Sequence, residues 1–315
     1  KEQSEWEGGG QSSTQQIRDV DWIKNRYFFV HPWFRNGLDT TALIQGQLKP
    51  ISIPSFYPMS EDGIHYFSEN VKVTKFELYK SASNDPTAVT GMAYIDPLNK
   101  TDSTYLDENE EGSFIRLEQG TNYFVSPDLG FIRVREQVSQ DILGCTFVLA
   151  DRETGDTVMV VGSGPNSLGD SLSLMMLKPR NNYPSHSTWP LMFKNVYYLG
   201  TSKINPKEFE VKIYNKNTTP VSERDKASSL PYITLFGLDK RDENFDLKYD
   251  ELLDKEDPNI MNMVDGELMF PTFHPFANGD SLEGGIKSTQ LSTQLGSGKL
   301  YTSSVSSEIN GDHRW

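Results

Sequence analysis

The sequence predicts a mainly β fold, made of antiparallel β-sandwich-like modules with a few short helices. Short β-branched and aromatic runs recur between residues 71 and 177, each bounded by Gly, Asn, Asp or Pro, which is the pattern of strands and turns. The 17 Phe, 14 Tyr and 5 Trp supply more aromatic burial than a disordered chain carries, although hydrophobic residues are only 36% and mean hydropathy is -0.55. Helical spacing is confined to two stretches.

In order along the chain, Gly8-Gly9-Gly10-Gln11-Ser12-Ser13 is linker chemistry. Ile17, Val20, Ile23 and Tyr27 then recur at three-to-four-residue spacing, which predicts a short amphipathic helix from near Thr14, halted by His31-Pro32. From Gln47 to Met59 three prolines interrupt β-branched residues, so an extended, edge-like segment is expected there. Strands are predicted at Val71-Lys72-Val73, Phe76 to Tyr79, Phe131 to Arg135, Leu143 to Leu149 and Thr157 to Val161, with Asp151 to Asp156 as a hairpin loop in which Gly155 takes positive φ. A second helix is expected near 188–199: Ser187-Thr188 as N-cap, Pro190 in the first turn, Gly200 as C-cap, and a face of Trp189, Met192, Val196 and Leu199. Glu208 to Tyr214 alternates apolar and polar and reads as a half-wet strand. The domain reading is 1–60 as linker, helix and extended segment, 61–165 and 166–280 as two β modules, and 281–315 as a flexible tail or connector.

Charge and composition narrow the function classes. Asp and Glu outnumber Lys and Arg by 44 to 30, giving net charge -14 and a pI near 4.8, which repels phosphate backbones and argues against nucleic acid as a partner. Cys145 is the lone cysteine and lies in an apolar run, so it reads as a buried small hydrophobe and leaves the compartment open. No run approaches the length of a membrane-spanning helix. The start at Lys1 without a leader reads as part of something longer.

The chemical inventory is sparse. His31, His65, His186, His274 and His313 are scattered and form no metal-ligand spacing. Gly162-Ser163-Gly164-Pro165 resembles a nucleophile turn but lacks the rest of any phosphate loop, and reads as a strand-ending turn. Asp239, Asp242, Asn244 and Asp246 place four oxygen-bearing side chains close together in an acid-rich stretch. They are a candidate calcium set, because a hard cation gathers six to eight oxygens, although Lys240 and Arg241 also fit a solvated acidic loop. Trp22, Trp33 and Trp189 offer aromatic area to a sugar, or to the core.

A series of ordered strings carries a family resemblance. Val73 to Tyr79, Phe114 to Glu118, Tyr123 to Ile132, Leu174 to Pro179, Trp189 to Gly200, Phe209 to Tyr214, Leu238-Asp239, Asp265 to Pro271 and Pro275-Phe276 follow one another in the order found in the soluble module of the SprA/Sov family. The nearest correspondence is Trp189-Pro190-Leu191-Met192-Phe193-Lys194-Asn195-Val196-Tyr197, which resembles the family's Trp-x-Leu-Met-x-Lys-Asn-x-Tyr element. The resemblance runs from about Val71 to Ala277; residues 1–60 carry less of it, and Leu247 to Met261 departs from it. It implies a soluble segment of the giant outer-membrane translocon of the type IX secretion system, which also supports gliding motility, at the outer membrane or cell surface on its periplasmic or extracellular side. It further implies a non-catalytic role without cofactor, with the parent's barrel and other modules, accessory type IX secretion proteins and cargo as partners. Trp189, Met192, Tyr197, Phe270 and Phe276 are the expected packing and interaction residues. The rival reading is a cell-surface carbohydrate-binding β-sandwich module.

Overall fold

The computed structural model describes residues 17–32, 34, 71–82, 84–136, 138–164, 166, 171–216, 218–242, 244, 246, 248–271, 273–276, 301 and 303–309. The expected linker at 8–13, the extended segment 47–59, Trp33, His65 and His313 lie outside them. Twelve strands follow: β1 (Tyr27–Phe29), β2 (Val71–Ser81), β3 (Val89–Tyr94), β4 (Glu110–Arg116), β5 (Tyr123–Ser126), β6 (Phe131–Val134), β7 (Leu143–Asp151), β8 (Thr157–Val161), β9 (Leu172–Lys178), β10 (Val196–Tyr198), β11 (Met261–Asn262) and β12 (Glu267–Met269). Among the described residues, the α-helical element α1 (Tyr232–Leu235) is complete and is a single turn. The mainly β class with antiparallel sheets and few short helices is therefore as the sequence predicts.

The largest sheet runs β2-β4-β3-β9-β7-β8, and β2 also pairs with β7, so five of its strands close into a ring. Closure removes two strand edges that would otherwise need covering. Every pairing in it is antiparallel except β3 with β9. Strand β9 is buried along its whole length. Leu172, Leu174 and Met176 pack with Tyr79, Ala93, Phe114 and Ile142 in a small core, and Met175 and Leu177 join the main one. A strand with cores on both faces needs a continuous apolar run, and Leu172 to Leu177 supplies one.

Strand β2 keeps its apolar residues on one core by a bulge. Val71 and Val73 face the main core, and so do Phe76 and Leu78, although the parity has changed. Between Thr74 and Glu77 the register with β7 shifts, and Lys75 sits at φ 46. One inserted residue flips the side-chain alternation.

A second sheet, β1-β6-β5, and a third, β10-β12-β11, share this main core. The β5–β6 hairpin turns at Gly130, whose φ is 62 and whose added Cβ would lie 2.1 Å from the Phe34 ring. The expected β7–β8 hairpin forms with Gly155 at φ 76, and Asp151 Oδ1 accepts from Glu153 N and Thr154 N at 2.9 Å each. Cys145 is fully buried, as expected, and burial pushes its thiol up.

Several expectations are corrected. The helix from near Thr14 is absent from 17–32: Asp21 folds back on Arg18 N at 3.0 Å, Asn25 takes φ 57, and Tyr27–Phe29 joins β6 instead. A left-handed residue ends any helix at that point. The helix near 188–199 is a single 3-10 turn, Trp189–Leu191, followed by extended Met192 and strand β10. Thr188 makes no side-chain cap, and Val196-Tyr197-Tyr198, a β-branched and aromatic run, pairs with β12. The apolar spacing was satisfied by two elements meeting one core. Glu208 to Tyr214 keeps its alternation of burial but joins no ladder among the described residues. The boundary expected at 165/166 cuts through the ring, because β9 lies between β3 and β7. Within the expected tail, Tyr301 is buried against Trp22, with ring centroids 6.1 Å apart.

Candidate functional site

The densest polar centre joins three strands far apart in sequence. Glu267 on β12 is 1% exposed. Its Oε2 accepts from the Tyr27 hydroxyl at 2.5 Å and from Arg133 Nε at 3.3 Å, while its Oε1 faces Arg26 Nη1 at 2.7 Å. Arg133 Nε also donates to the Tyr27 oxygen at 2.8 Å, and its Nη2 pairs with Asp265. Asn262 donates to Asp265 Oδ2 at 3.0 Å, and Arg26 Nε to Val134 O at 3.2 Å. Two guanidinium groups meet two carboxylates, so the cluster is neutral overall. Burial raises the Asp265 carboxyl, but the Arg133 charge and hydrogen bond, Asn262 and Arg26 outweigh it and hold the group below the ordinary aspartate range. Burial and the Glu267 charge push the Tyr27 phenol far up. The arrangement clamps β1, β6 and the β11–β12 hairpin together. The hairpin itself needs Gly266, at φ 68, because an added Cβ would lie 1.6 Å from Thr201 O.

A second centre surrounds Glu77, next to the β2 bulge. Its carboxylate accepts from Arg116 Nη1 at 2.8 Å, Tyr79 Oη at 2.9 Å and Asn166 N at 3.2 Å. This ties the end of β4 and the turn after β8 to β2. That turn contains Gly162 and Gly164 at φ 81 and 82, so the Gly162-Ser163-Gly164 string ends a strand, as the sequence reading expects. Lys178 is the third: its ammonium donates to the carbonyls of Asp141, Pro179 and Arg180, and burial lowers its pKa to about 8 against the opposing pull of Asp141 and Glu110.

The expected packing residues come together, but inside the protein. Tyr197 stacks edge-on to Phe270 and Phe276 at 5.5 and 5.6 Å, those two meet at 5.3 Å, and Phe236 touches both. Phe193 sits among Phe29, Phe131 and Phe273 at 4.4 to 5.8 Å. Met192 bridges to Phe28, and its sulfur accepts from Asn25 N at 3.2 Å. Trp189 lies under Lys194 Nζ, 5.4 Å from the ring. All five are buried, so any docking surface is built from other residues.

The candidate calcium set does not converge. Asp239 is fully buried and accepts from Thr234 Oγ1, Asp250 N and Glu251 N at 2.5 to 3.1 Å. Asp242 turns the other way, accepting from Asn244 N and Asp246 N at 2.9 and 3.2 Å. Their oxygens are engaged by main-chain donors of the loop, and among the described residues no group of three His, Cys, Asp or Glu gathers to hold a metal. Trp22 and Trp189 are 3% and 8% exposed, which counts against the carbohydrate reading at those positions.

The three described histidines are packed. His186 Nδ1 faces Thr188 Oγ1 at 2.9 Å, and His274 stacks on Tyr301 at 4.8 Å. Burial drives His31 down to about 3. Since that folded pKa lies below the unfolded value near 6.5, its contribution to stability is complete above about 6.5 and is lost as pH falls toward 3. Proton NMR is therefore expected to find the His31 ring still neutral at pH 5, where an unfolded histidine is charged; a normal titration would contradict the packing described.

Sequence reasoning missed the Arg26–Arg133–Glu267 cluster. One signal was present: Arg133 interrupts the apolar strand string Phe131-Ile132-Arg133-Val134. Comparison of the chain with protein-family models gives no match, and comparison with curated proteins gives none.

Proposed function

We propose that this chain is a non-catalytic structural and docking segment of an outer-membrane protein-export translocon of the SprA/Sov kind, acting in type IX secretion and gliding motility. One observation carries the reading: in the string that most resembles the family, each distinctive residue has an architectural task. Lys194 Nζ donates to Trp189 O and Met192 O at 3.1 and 3.4 Å. Asn195 Nδ2 donates to Phe270 O at 2.7 Å, and Phe270 N returns the bond to Asn195 O at 2.8 Å. Tyr197 Oη donates to Asp19 O at 2.8 Å across the core. Buried polar groups tolerate few replacements, because an orphaned partner costs the full desolvation penalty. A string of this kind is what a recurring module keeps for its fold. Among the described residues no helix is long and apolar enough to cross a membrane. In this reading the segment's part in export is mechanical: it braces or caps the pore and offers its surface to the barrel, accessory subunits and cargo.

Cross-linking mass spectrometry on outer membranes of cells carrying the full-length parent tests this. The exposed Lys203, Lys207 and Lys226 are expected to link to the barrel or to an accessory type IX secretion component. Links confined to this segment, or a parent missing from the outer-membrane fraction, would overturn the reading.

A further inference from the structure

Residues 209–214 present an unpaired main-chain edge and belong to no ladder among the described residues. Phe209, Val211 and Ile213 pack partly against the main core, while Glu210, Lys212 and Tyr214 are exposed. Among the described residues their main-chain N–H groups donate no hydrogen bond, and their only engaged carbonyl is Phe209 O, taken by Lys255 Nζ at 3.3 Å. Both ends of the segment are pinned: Lys255 Nζ also holds Pro206 O at 2.7 Å, and Asn215 N donates to Ser222 O at 2.9 Å. A fixed, extended, unpaired backbone is a template for an added strand and has little entropy left to lose.

Beside this edge opens a groove of about 280 Å³. It is lined by apolar Phe209, Val211, Leu252 and Leu253 and by six carboxylates against two cations, Arg241 and Lys255, with Lys248 pairing with Asp242 at 3.7 Å. With both cations counted, the lining still carries an excess of four carboxylates. Burial above all pushes the Asp254 carboxyl up to about 6 against the hydrogen bonds from Lys240 N and Arg241 N, with Asp239 and Asp257 adding to the rise.

We infer that this groove and its open edge take an extended, basic segment of a partner protein, added as a strand along 209–214. Alternate Lys or Arg side chains lie over the carboxylates, and the intervening apolar side chains lie on the floor. The two halves of the site select together: main-chain pairing gives the register, and charge excludes acidic strands. The inference stands on the groove alone and holds whatever the parent protein exports.

The test titrates the isotope-labelled full chain with a short synthetic peptide alternating Lys and Val. Controls are the Glu–Val counterpart and a Lys–Val peptide N-methylated at every second amide. Amide resonances of 209–214 are expected to shift and saturate with the Lys–Val peptide, and the exposed-rim variant Glu210→Lys/Glu256→Lys is expected to weaken binding about tenfold. N-methylation is expected to weaken it at least as much. Equal binding of the N-methylated peptide would overturn strand addition, equal binding of the Glu–Val peptide would overturn the charge selection, and shifts lying away from 209–214 would overturn the site.

Discussion

Glu267→Ala is expected to cost about 3–5 kcal/mol of stability, because it leaves Arg26 and Arg133 facing Asp265 alone in a largely desolvated centre. Glu267 is 1% exposed and meets both guanidinium groups and the Tyr27 hydroxyl. The loss should appear as a melting temperature lowered by on the order of 10 °C, since a chain of this size shifts a few degrees per kcal/mol. The penalty comes from the uncompensated cations more than from the lost attraction. Arg26→Met/Glu267→Leu, which removes one charge of each sign and leaves the Arg133–Asp265 pair balanced, should therefore be less destabilised than the sum of its singles. Additive losses in this double-mutant cycle would show that the cluster is not acting as a unit. Asp265 adds a pH signature. Its folded pKa is depressed, so its stabilisation is present above the unfolded aspartate range and disappears as pH falls through the folded value.

Tyr197→Ala is expected to be equally damaging, at about 3–5 kcal/mol, through the cavity left by a fully buried ring and the loss of its hydrogen bond. The ring contacts Phe270 and Phe276, and the hydroxyl reaches Asp19 O at 2.8 Å. The adjacent residue gives the control. Tyr198 is 44% exposed and points to the other face of β10, so Tyr198→Ala should change stability by no more than about 0.5 kcal/mol. Chemical denaturation of the two variants checks both values. Similar losses in the two would mean that β10 does not present Tyr197 to the core.

These two centres mark the limit of what the sequence made legible. Strands β2, β6, β7 and β8 were readable because each is a local run with its own turn signals, and the Asp151–Asp156 loop because Gly155 supplies a positive φ. The bulge at Lys75 left its trace as a change of parity between Val73 and Phe76. The parallel pairing of β3 with β9 left none, since it depends on a return of the chain after β8. Spacing alone misassigned 188–199, because Trp189, Met192, Val196 and Leu199 fit a helix and equally a turn followed by a strand. The Tyr27–Glu267 bond spans 240 residues, and no local pattern encodes a contact over that distance. Acidic density around Asp239 suggested a cation site, whereas the loop turns those oxygens onto its own N–H groups.

On the function proposed above, the chain is a scaffold of a translocon in which buried polar side chains hold strands in place and a partner reads the surface. Parallel measurement of cargo export and melting temperature across core variants of the full-length parent tests this most directly, with Tyr197→Ala, Glu267→Ala, Tyr27→Phe, His186→Asn and Lys178→Met as the panel. Export is predicted to follow the folded fraction, so that every variant that stays folded at the growth temperature exports normally. A variant that keeps its melting temperature yet abolishes export by losing one buried polar group would contradict the account, because that group would then be doing chemistry.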